Sequence, residues 1–285
     1  MCLFKKSKPD KENTAIVLAE FLPDDKFFKK EGFYKDGEDS GFKNLAELLS
    51  SSEEEIKDDC KYYLICKILS SIVDLTTRFA PKEEELIGKV KFLSAVSIGG
   101  YSVSPAYIKS FNRSAAKAGK RANIRAIVDF PFGETTFNAK RTEIKNCLRQ
   151  GIKNITAVIP AILLSDVRAL KKQIKSLSRI NGDITVAVSA ETIDDSGIKN
   201  FIKAVNKSGI NGGAFIFGET SEKEFDEKFA LITGKTANKP VSVIASVKSA
   251  KTAVKLLKAG VKEVITPYAL DIAKELISAA GFKLK

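Results

Sequence analysis

The side chains in this sequence that could do chemistry are short polar ones, placed on or just after short apolar runs. They are Asp74, Ser102, Asp129, Thr156, Thr185, Ser189 and Ser242. Two of them, Asp74 and Asp129, are carboxylates, and a carboxylate pair can move protons or hold a hard cation. The alternative is structural, with small side chains filling space and binding water. The set predicts a small polar pocket.

The sequence contains no histidine. Ser-His-Asp and Cys-His nucleophile pairs and histidine metal sites are therefore excluded. Proton transfer would depend on carboxylates, Lys, Tyr, Cys or water. The four cysteines, Cys2, Cys60, Cys66 and Cys147, lack CxxC spacing, which predicts reduced thiols in a cytoplasmic protein. We expect neither a metal nor a cofactor.

Short β-branched runs alternate with amphipathic stretches from about residue 66 onward, as in a parallel sheet with helical crossovers. The eight predicted strands are Ile72–Thr76, Ala95–Ser104, Ile124–Phe130, Ile155–Ile159, Ile184–Ser189, Gly213–Phe217, Val241–Ala245 and Glu263–Thr266. The predicted helices are Pro105–Ala118, Thr135–Gln150, Ala161–Ser178, Ser196–Lys207, Lys223–Leu231 and Ala250–Lys258. Eight such units favour an α/β fold of the (β/α)8 TIM barrel type. The polar side chains above would then lie at the C-terminal ends of the strands, where the sites of such barrels lie.

Residues 1–65 do not share this alternation. They contain turn-rich stretches, an acidic run at Glu53 to Glu55 and a helix predicted over Ile56–Leu69. We therefore expect a partly helical N-terminal extension over 1–65 and a barrel domain over 66–285. The extension is predicted to pack on the barrel or to contact a protein partner.

Four segments resemble the deoxyribose-phosphate aldolases, over residues 70 to about 275. Val73-Asp74-Leu75-Thr76 is similar to the family's first strand, and Ser102-Val103-Ser104-Pro105 to its second. The third strand and its turn are similar to Ile127-Val128-Asp129-Phe130-Pro131-Phe132-Gly133. Lys140, Glu143 and Gly151 then follow with the spacing of the family's Lys-x-x-Glu helix and closing glycine.

The resemblance implies aldol cleavage of 2-deoxyribose 5-phosphate through an imine on a lysine, assisted by a second lysine and by carboxylates. The family's strand-six motif fits Gly209 to Gly218 without a gap, which places Ala214 at the nucleophile position. Ser242 stands at the second lysine, Thr156 at the strand-four aspartate, and Thr185 and Ser189 at the strand-five lysine and glutamate. Only Asp74 is kept among the reacting groups.

The phosphate-binding turns of the family are also replaced, by Ala245-Ser246 and by Ile265-Thr266-Pro267. Alanine has no amine, so imine formation at residue 214 is impossible. We therefore expect an aldolase-like barrel without aldolase activity, a pseudoenzyme that acts in binding or assembly.

The enzymatic alternative is a carbon-carbon lyase or isomerase acting on a sugar phosphate. It would use Asp74, Asp129 or a displaced lysine such as Lys235, Lys239, Lys248 or Lys251. If active in the family's manner, it would be an aldehyde-lyase.

The net charge of +12 is concentrated in the barrel, since residues 1–70 carry −3 and the rest +15. A basic nucleic-acid-binding protein is a further alternative. The absence of basic motifs interleaved with aromatic residues favours lysines on solvated helix faces instead. No apolar run approaches the roughly 20 residues of a membrane helix. A small polar or phosphorylated ligand and a homodimer remain the predicted partners.

Overall fold

The computed structural model describes residues 4–6, 65–66, 68–76, 82–180, 182–191, 193–218, 238–279 and 282–284. Eight parallel strands close into one barrel, each paired with the next and the last with the first. They are β1 Ile72–Leu75, β2 Gly100–Val103, β3 Ile124–Val128, β4 Asn154–Val158, β5 Asp183–Ser189, β6 Gly212–Ile216, β7 Val241–Ile244 and β8 Val264–Thr266. The predicted (β/α)8 barrel is confirmed.

Seven α-helices surround the barrel in the described ranges. They are α1 Glu83–Ala95, α2 Ile108–Lys117, α3 Phe137–Arg149, α4 Val167–Leu177, α5 Asp195–Asn206, α6 Ala250–Lys258 and α7 Ala269–Ala279. The helix predicted over Lys223–Leu231 lies outside the described residues. No described helix is long and apolar enough to cross a membrane.

Two sequence predictions of element boundaries differ most from the structure. The strand predicted from Ala95 begins at Gly100, because α1 continues through Ala95. The helix predicted over Ala161–Ser178 is interrupted: a 3-10 turn covers Ala161–Leu164 and α4 starts at Val167. The Asp166 side chain causes the restart, since it accepts hydrogen bonds from the backbone N–H groups of Arg168 and Ala169 and so caps the new helix.

The hydrophobic core has two parts. The larger part lies between the strands and the surrounding helices and includes Ile65, Ile68 and Leu69, which precede β1. The smaller part fills the barrel interior and consists of Val73, Leu75, Ile127, Val158, Ala187, Ala214, Ile216, Ile244 and Ile265. Outside the barrel, Phe4–Lys6 pairs antiparallel with Phe282–Leu284.

Candidate functional site

The inward-facing side chains of the barrel form stacked layers, each with four residues from alternate strands. The strand register defines an upper layer of Leu75, Ile127, Ala187 and Ile244, and Val158 and Ile216 also face inward, closer to the C-terminal ends of the strands. A middle layer contains Ser102, Thr156, Ala214 and Ile265, and a lower layer Val73, Arg125, Thr185 and Ser242. Polarity thus increases from the upper layer toward the N-terminal ends of the strands.

Ala214 lies in the middle layer and is fully buried. It pairs with Ala187 on β5 and with Ser242 on β7. The upper layer separates it from the C-terminal opening, and its four side chains are at most 3% exposed. The inward positions of β7 are Ser242 and Ile244, so a shift of two residues in the alignment of this strand would still give no lysine. No lysine occupies an inward position of the described strands.

The predicted polar residues do not form one pocket. Ser189 lines the C-terminal opening of the barrel. Thr156, Thr185 and Ser242 instead line a cavity among the strand starts, at the N-terminal end. Ser102 is buried in the middle layer, and its hydroxyl has no hydrogen-bond partner.

Asp74 faces outward from β1, toward α1. Its carboxylate is fully buried and lies 2.6 Å from Nζ of Lys89, and it accepts a hydrogen bond from the Thr76 hydroxyl. Burial raises the pKa of Asp74, although the positive charge and hydrogen bond of Lys89 oppose the shift. This carboxylate binds α1 to the barrel.

Asp129 follows β3 and adopts a positive φ of 64°. Its carboxylate accepts hydrogen bonds from the backbone N–H and the hydroxyl of Thr135 and lies 3.0 Å from Nζ of Lys140. Lys140 is fully buried and also donates to the carbonyl of Gly133. Burial lowers the pKa of Lys140, against the opposing hydrogen bond and charge of Asp129. Asp74 and Asp129 therefore each pair with a different lysine.

Cys147 lies on the same helix as Lys140 and is fully buried. Burial, together with the charge of Glu143, raises the pKa of the Cys147 thiol to about 11. Such a thiol is a poor nucleophile at neutral pH. Cys66 and Cys147, the cysteines within the described ranges, are both free.

The C-terminal opening contains a pocket of about 260 Å³ with mainly apolar walls. Its apolar residues are Leu75, Phe130, Pro131, Phe132, Ile216, Phe217, Ile244, Ala245 and Pro267, and its polar ones are Ser189, Glu191 and Ser246. Phe132 stands at the rim with half of its surface exposed. We call this the mouth pocket.

The turn after β8 is closed by its own hydrogen bonds. The buried Thr266 hydroxyl donates to the carbonyl of Val247 and accepts from the backbone N–H of Tyr268. The next residue, Pro267, has no backbone N–H to offer to a phosphate. The mouth pocket thus lacks a phosphate cradle at this turn.

Glu191 is a mouth residue that the sequence analysis missed. A Cβ built on Gly218 would stand 1.5 Å from Oε1 of Glu191, so glycine lets the carboxylate lie against the backbone after β6. The signal was present in the sequence: Glu191-Thr192 repeats the Glu-Thr pair that the family carries after strand five, two residues beyond the aligned position.

The lysines considered as displaced nucleophiles lie in different places. Lys239 donates to the carbonyls of Ser208 and Ile210, on the N-terminal side of the barrel. Lys248 is exposed, with Nζ 5.6 Å from the centre of the Tyr268 ring. Lys235 lies outside the described residues.

Comparison with known proteins finds sequence similarity to an aldolase. A deoxyribose-phosphate aldolase of Brevibacillus brevis is 27% identical over 179 residues, which are 60% of this chain and 78% of that protein. No family model matches the sequence.

Solved structures share the fold. The tetrameric deoxyribose phosphate aldolase of Aeropyrum pernix superposes with a TM-score of 0.62 at 16% identity, over 79% of this chain and 99% of that one. A putative deoxyribose-phosphate aldolase of Coccidioides immitis gives a TM-score of 0.62 at 13% identity, over 74% and 86% of the two chains.

Proposed function

We propose that this chain, a TIM barrel similar to the deoxyribose-phosphate aldolases, is a divergent member of that family and a binding protein that forms no Schiff base. The observation that carries the proposal is Ala214, fully buried in the barrel interior at the position that the resemblance gives to the family's nucleophile. Formation of an imine needs an amine at the reacting carbon. Alanine in place of the lysine would therefore abolish this reaction path and not merely slow it.

The mouth pocket supports a change of ligand. Its walls are mainly apolar, and the turn after β8 offers Pro267 where a phosphate would need a donor. A small and mainly apolar ligand, hydrogen-bonded to Ser189 or Ser246, fits this lining better than a sugar phosphate. We propose such a ligand in place of the polar or phosphorylated one expected from the sequence.

The test of the missing chemistry is borohydride reduction of the whole chain in the presence of deoxyribose 5-phosphate and of a panel of small aldehydes, followed by mass spectrometry. We expect no adduct that depends on substrate. An adduct on a single lysine would overturn the proposal and identify a displaced nucleophile. The Ala214→Lys variant is the matched control, since it restores the amine at the family position.

The test of ligand class is chemical-shift mapping with methyl-labelled isoleucine. Ile216 and Ile244 line the mouth pocket, and we expect both methyl signals to shift with benzyl alcohol but not with deoxyribose 5-phosphate. Shifts with the sugar phosphate at these residues would favour the alternative of a rebuilt lyase or isomerase site at the mouth pocket, whose lining includes the Glu191 carboxylate.

The assembly of the chain is a separate proposal. The Aeropyrum pernix relative is described as tetrameric, and we propose that this chain also forms a homo-oligomer. Light scattering after size exclusion would show a mass that is a multiple of 31.1 kDa. A mass equal to one chain would contradict it.

A further inference from the structure

The lower half of the barrel is filled by small side chains. Thr156, Thr185, Ala214 and Ser242, with Gly212 below them, surround a cavity of about 260 Å³. A typical TIM barrel is packed solid by layers of large branched residues. This cavity is far larger than the space one buried water needs. It opens among the strand starts, at the end of the barrel opposite the mouth pocket.

The lining of this lower cavity is polar but electrically balanced. Hydroxyls come from Thr156, Thr185 and Ser242 and side-chain amides from Asn154 and Asn211. Two cationic and two anionic residues complete the wall: Arg125, Lys262, Asp183 and Glu263. Arg125 and Glu263 form an ion pair through Nη1 and Oε2, and the Asp183 carboxylate accepts a hydrogen bond from the Asn211 amide. Lys262 is exposed to solvent.

Two buried polar atoms in this region have no partner. They are Nε of Arg125, on the cavity wall, and Oγ of Ser102, its register neighbour on β2. Ser102 is 1% exposed. A buried polar atom without a hydrogen bond is costly, so in a native fold such an atom is expected to meet ordered water or a bound group. Of the two atoms, Nε of Arg125 belongs to the cavity lining and offers a hydrogen-bond donor there, whereas Ser102 is outside the lining.

From this lining we propose that the lower cavity binds a compact, uncharged, hydroxyl-rich molecule of the size of a three- or four-carbon polyol. Neutral hydroxyls satisfy donors and acceptors alike and leave the Arg125–Glu263 ion pair intact. An anion would face the carboxylates of Glu263 and Asp183. The site is separate from the mouth pocket and does not depend on the function proposed for it.

Different isoleucine side chains can report ligand binding at the two ends of the barrel. Ile265 faces the barrel interior and lines the lower cavity, whereas Ile216 and Ile244 line the mouth pocket. On titration of the whole chain with erythritol, we expect saturable methyl shifts at Ile265 and none at Ile216 and Ile244. Absence of shifts at Ile265, or shifts confined to the mouth, would overturn the proposal and leave the cavity to water.

Matched variants distinguish binding from a change in folding. Thr185→Val keeps the side-chain shape and removes one hydroxyl, so it should weaken erythritol binding about fivefold. Ser189→Ala removes a hydroxyl at the other end of the barrel and should leave the affinity unchanged. Equal affinities for the wild type and Thr185→Val would contradict the assigned contact, and isoleucine spectra of both variants report whether the fold is kept.

A charged probe tests the ligand class. Glycerol 3-phosphate should shift Ile265 less than glycerol does at equal concentration, because the Arg125 guanidinium on the cavity wall is paired with Glu263 and Lys262 is exposed to solvent. Tighter binding of the phosphate would show an anion site and overturn the neutral-ligand assignment.

Discussion

The resemblance to the aldolases predicts Asp74 to be the one reacting group that the chain keeps, but its side chain faces away from the barrel interior. Its carboxylate is buried against Lys89 and Thr76. The ion pair does not offset the loss of hydration, because burial still raises the pKa of Asp74 above its usual 3.8. Ionisation of Asp74 therefore costs the native state more than the unfolded one.

The sign of this effect gives a prediction for Asp74→Asn. Between pH 3.8 and the raised native pKa, the native state binds more protons than the unfolded state, so the contribution of Asp74 to stability falls as the pH rises. Asparagine does not titrate. We expect the melting temperature of the variant minus that of the wild type to become more positive from pH 4 to pH 7. A difference that becomes more negative would show that the Lys89 pair lowers the pKa instead.

Lys140 binds the turn that follows β3. Its fully buried ammonium contacts the Asp129 carboxylate and the Gly133 carbonyl. Lys140→Met should destabilise the barrel by about 3–5 kcal/mol, since it leaves Asp129 without its cation in a largely buried position. Urea unfolding measures the change. Lys145→Met, on an exposed position of the same helix, should cost less than about 0.5 kcal/mol. Equal costs would contradict a structural role for the Lys140 pair.

Gly133 determines the conformation of the turn after β3, which forms one wall of the mouth pocket. Its φ is +74°, and an added Cβ would stand 2.6 Å from the backbone carbonyl carbon of Ile159. The turn after β3 can thus approach β4 only with glycine here.

Two glycine substitutions separate the backbone cost from the steric cost. Gly151, with φ of +81°, has no atom within 4 Å of an added Cβ, so Gly151→Ala should cost about 1 kcal/mol. Gly133→Ala should cost at least about 2 kcal/mol more, because the Ile159 backbone cannot move aside. Thermal or urea unfolding of both variants gives the comparison. Similar values would show that the turn relaxes.

At the scale of the whole molecule, the hydrophobic core around the closed barrel includes residues that precede β1 in the chain. Ile65, Ile68 and Leu69 are at most 7% exposed and pack in the core outside the strands. The boundary between extension and barrel predicted at residues 65 and 66 therefore lies within a packed segment. The role of the earlier residues stays a prediction.

Two truncations test this boundary. A chain that begins at residue 62 keeps the three apolar side chains, whereas one that begins at residue 71 loses them. We expect the first to fold and the second to be less stable by more than about 4 kcal/mol, at about 1.5–3 kcal/mol for each buried side chain. Both lack the strand Phe4–Lys6, so its loss cancels. Equal unfolding midpoints would place the boundary after Leu69.

The sequence alone determined the fold, because alternating β-branched and amphipathic segments are local properties of the chain. The absence of a nucleophilic lysine stays a prediction, which rests on a motif around Ala214 that aligns without a gap. Boundaries were less predictable: the capping bonds of Asp166 and the continuation of α1 to Ala95 depend on packing that periodicity does not show.

The arrangement of the polar residues was decided only by the tertiary structure. Thr156, Thr185 and Ser242 were placed at the C-terminal opening because they lie on strands, but their height in the barrel depends on the register between neighbouring strands, which sequence does not give. The direction of Asp74 depends on the alternation along β1 and on the position of Lys89 in α1. Glu191 became a mouth residue because β5 extends to Ser189 and the glycine after β6 leaves room for it. The sequence determines the type of each residue, whereas closure of the barrel determines which residues contact one another.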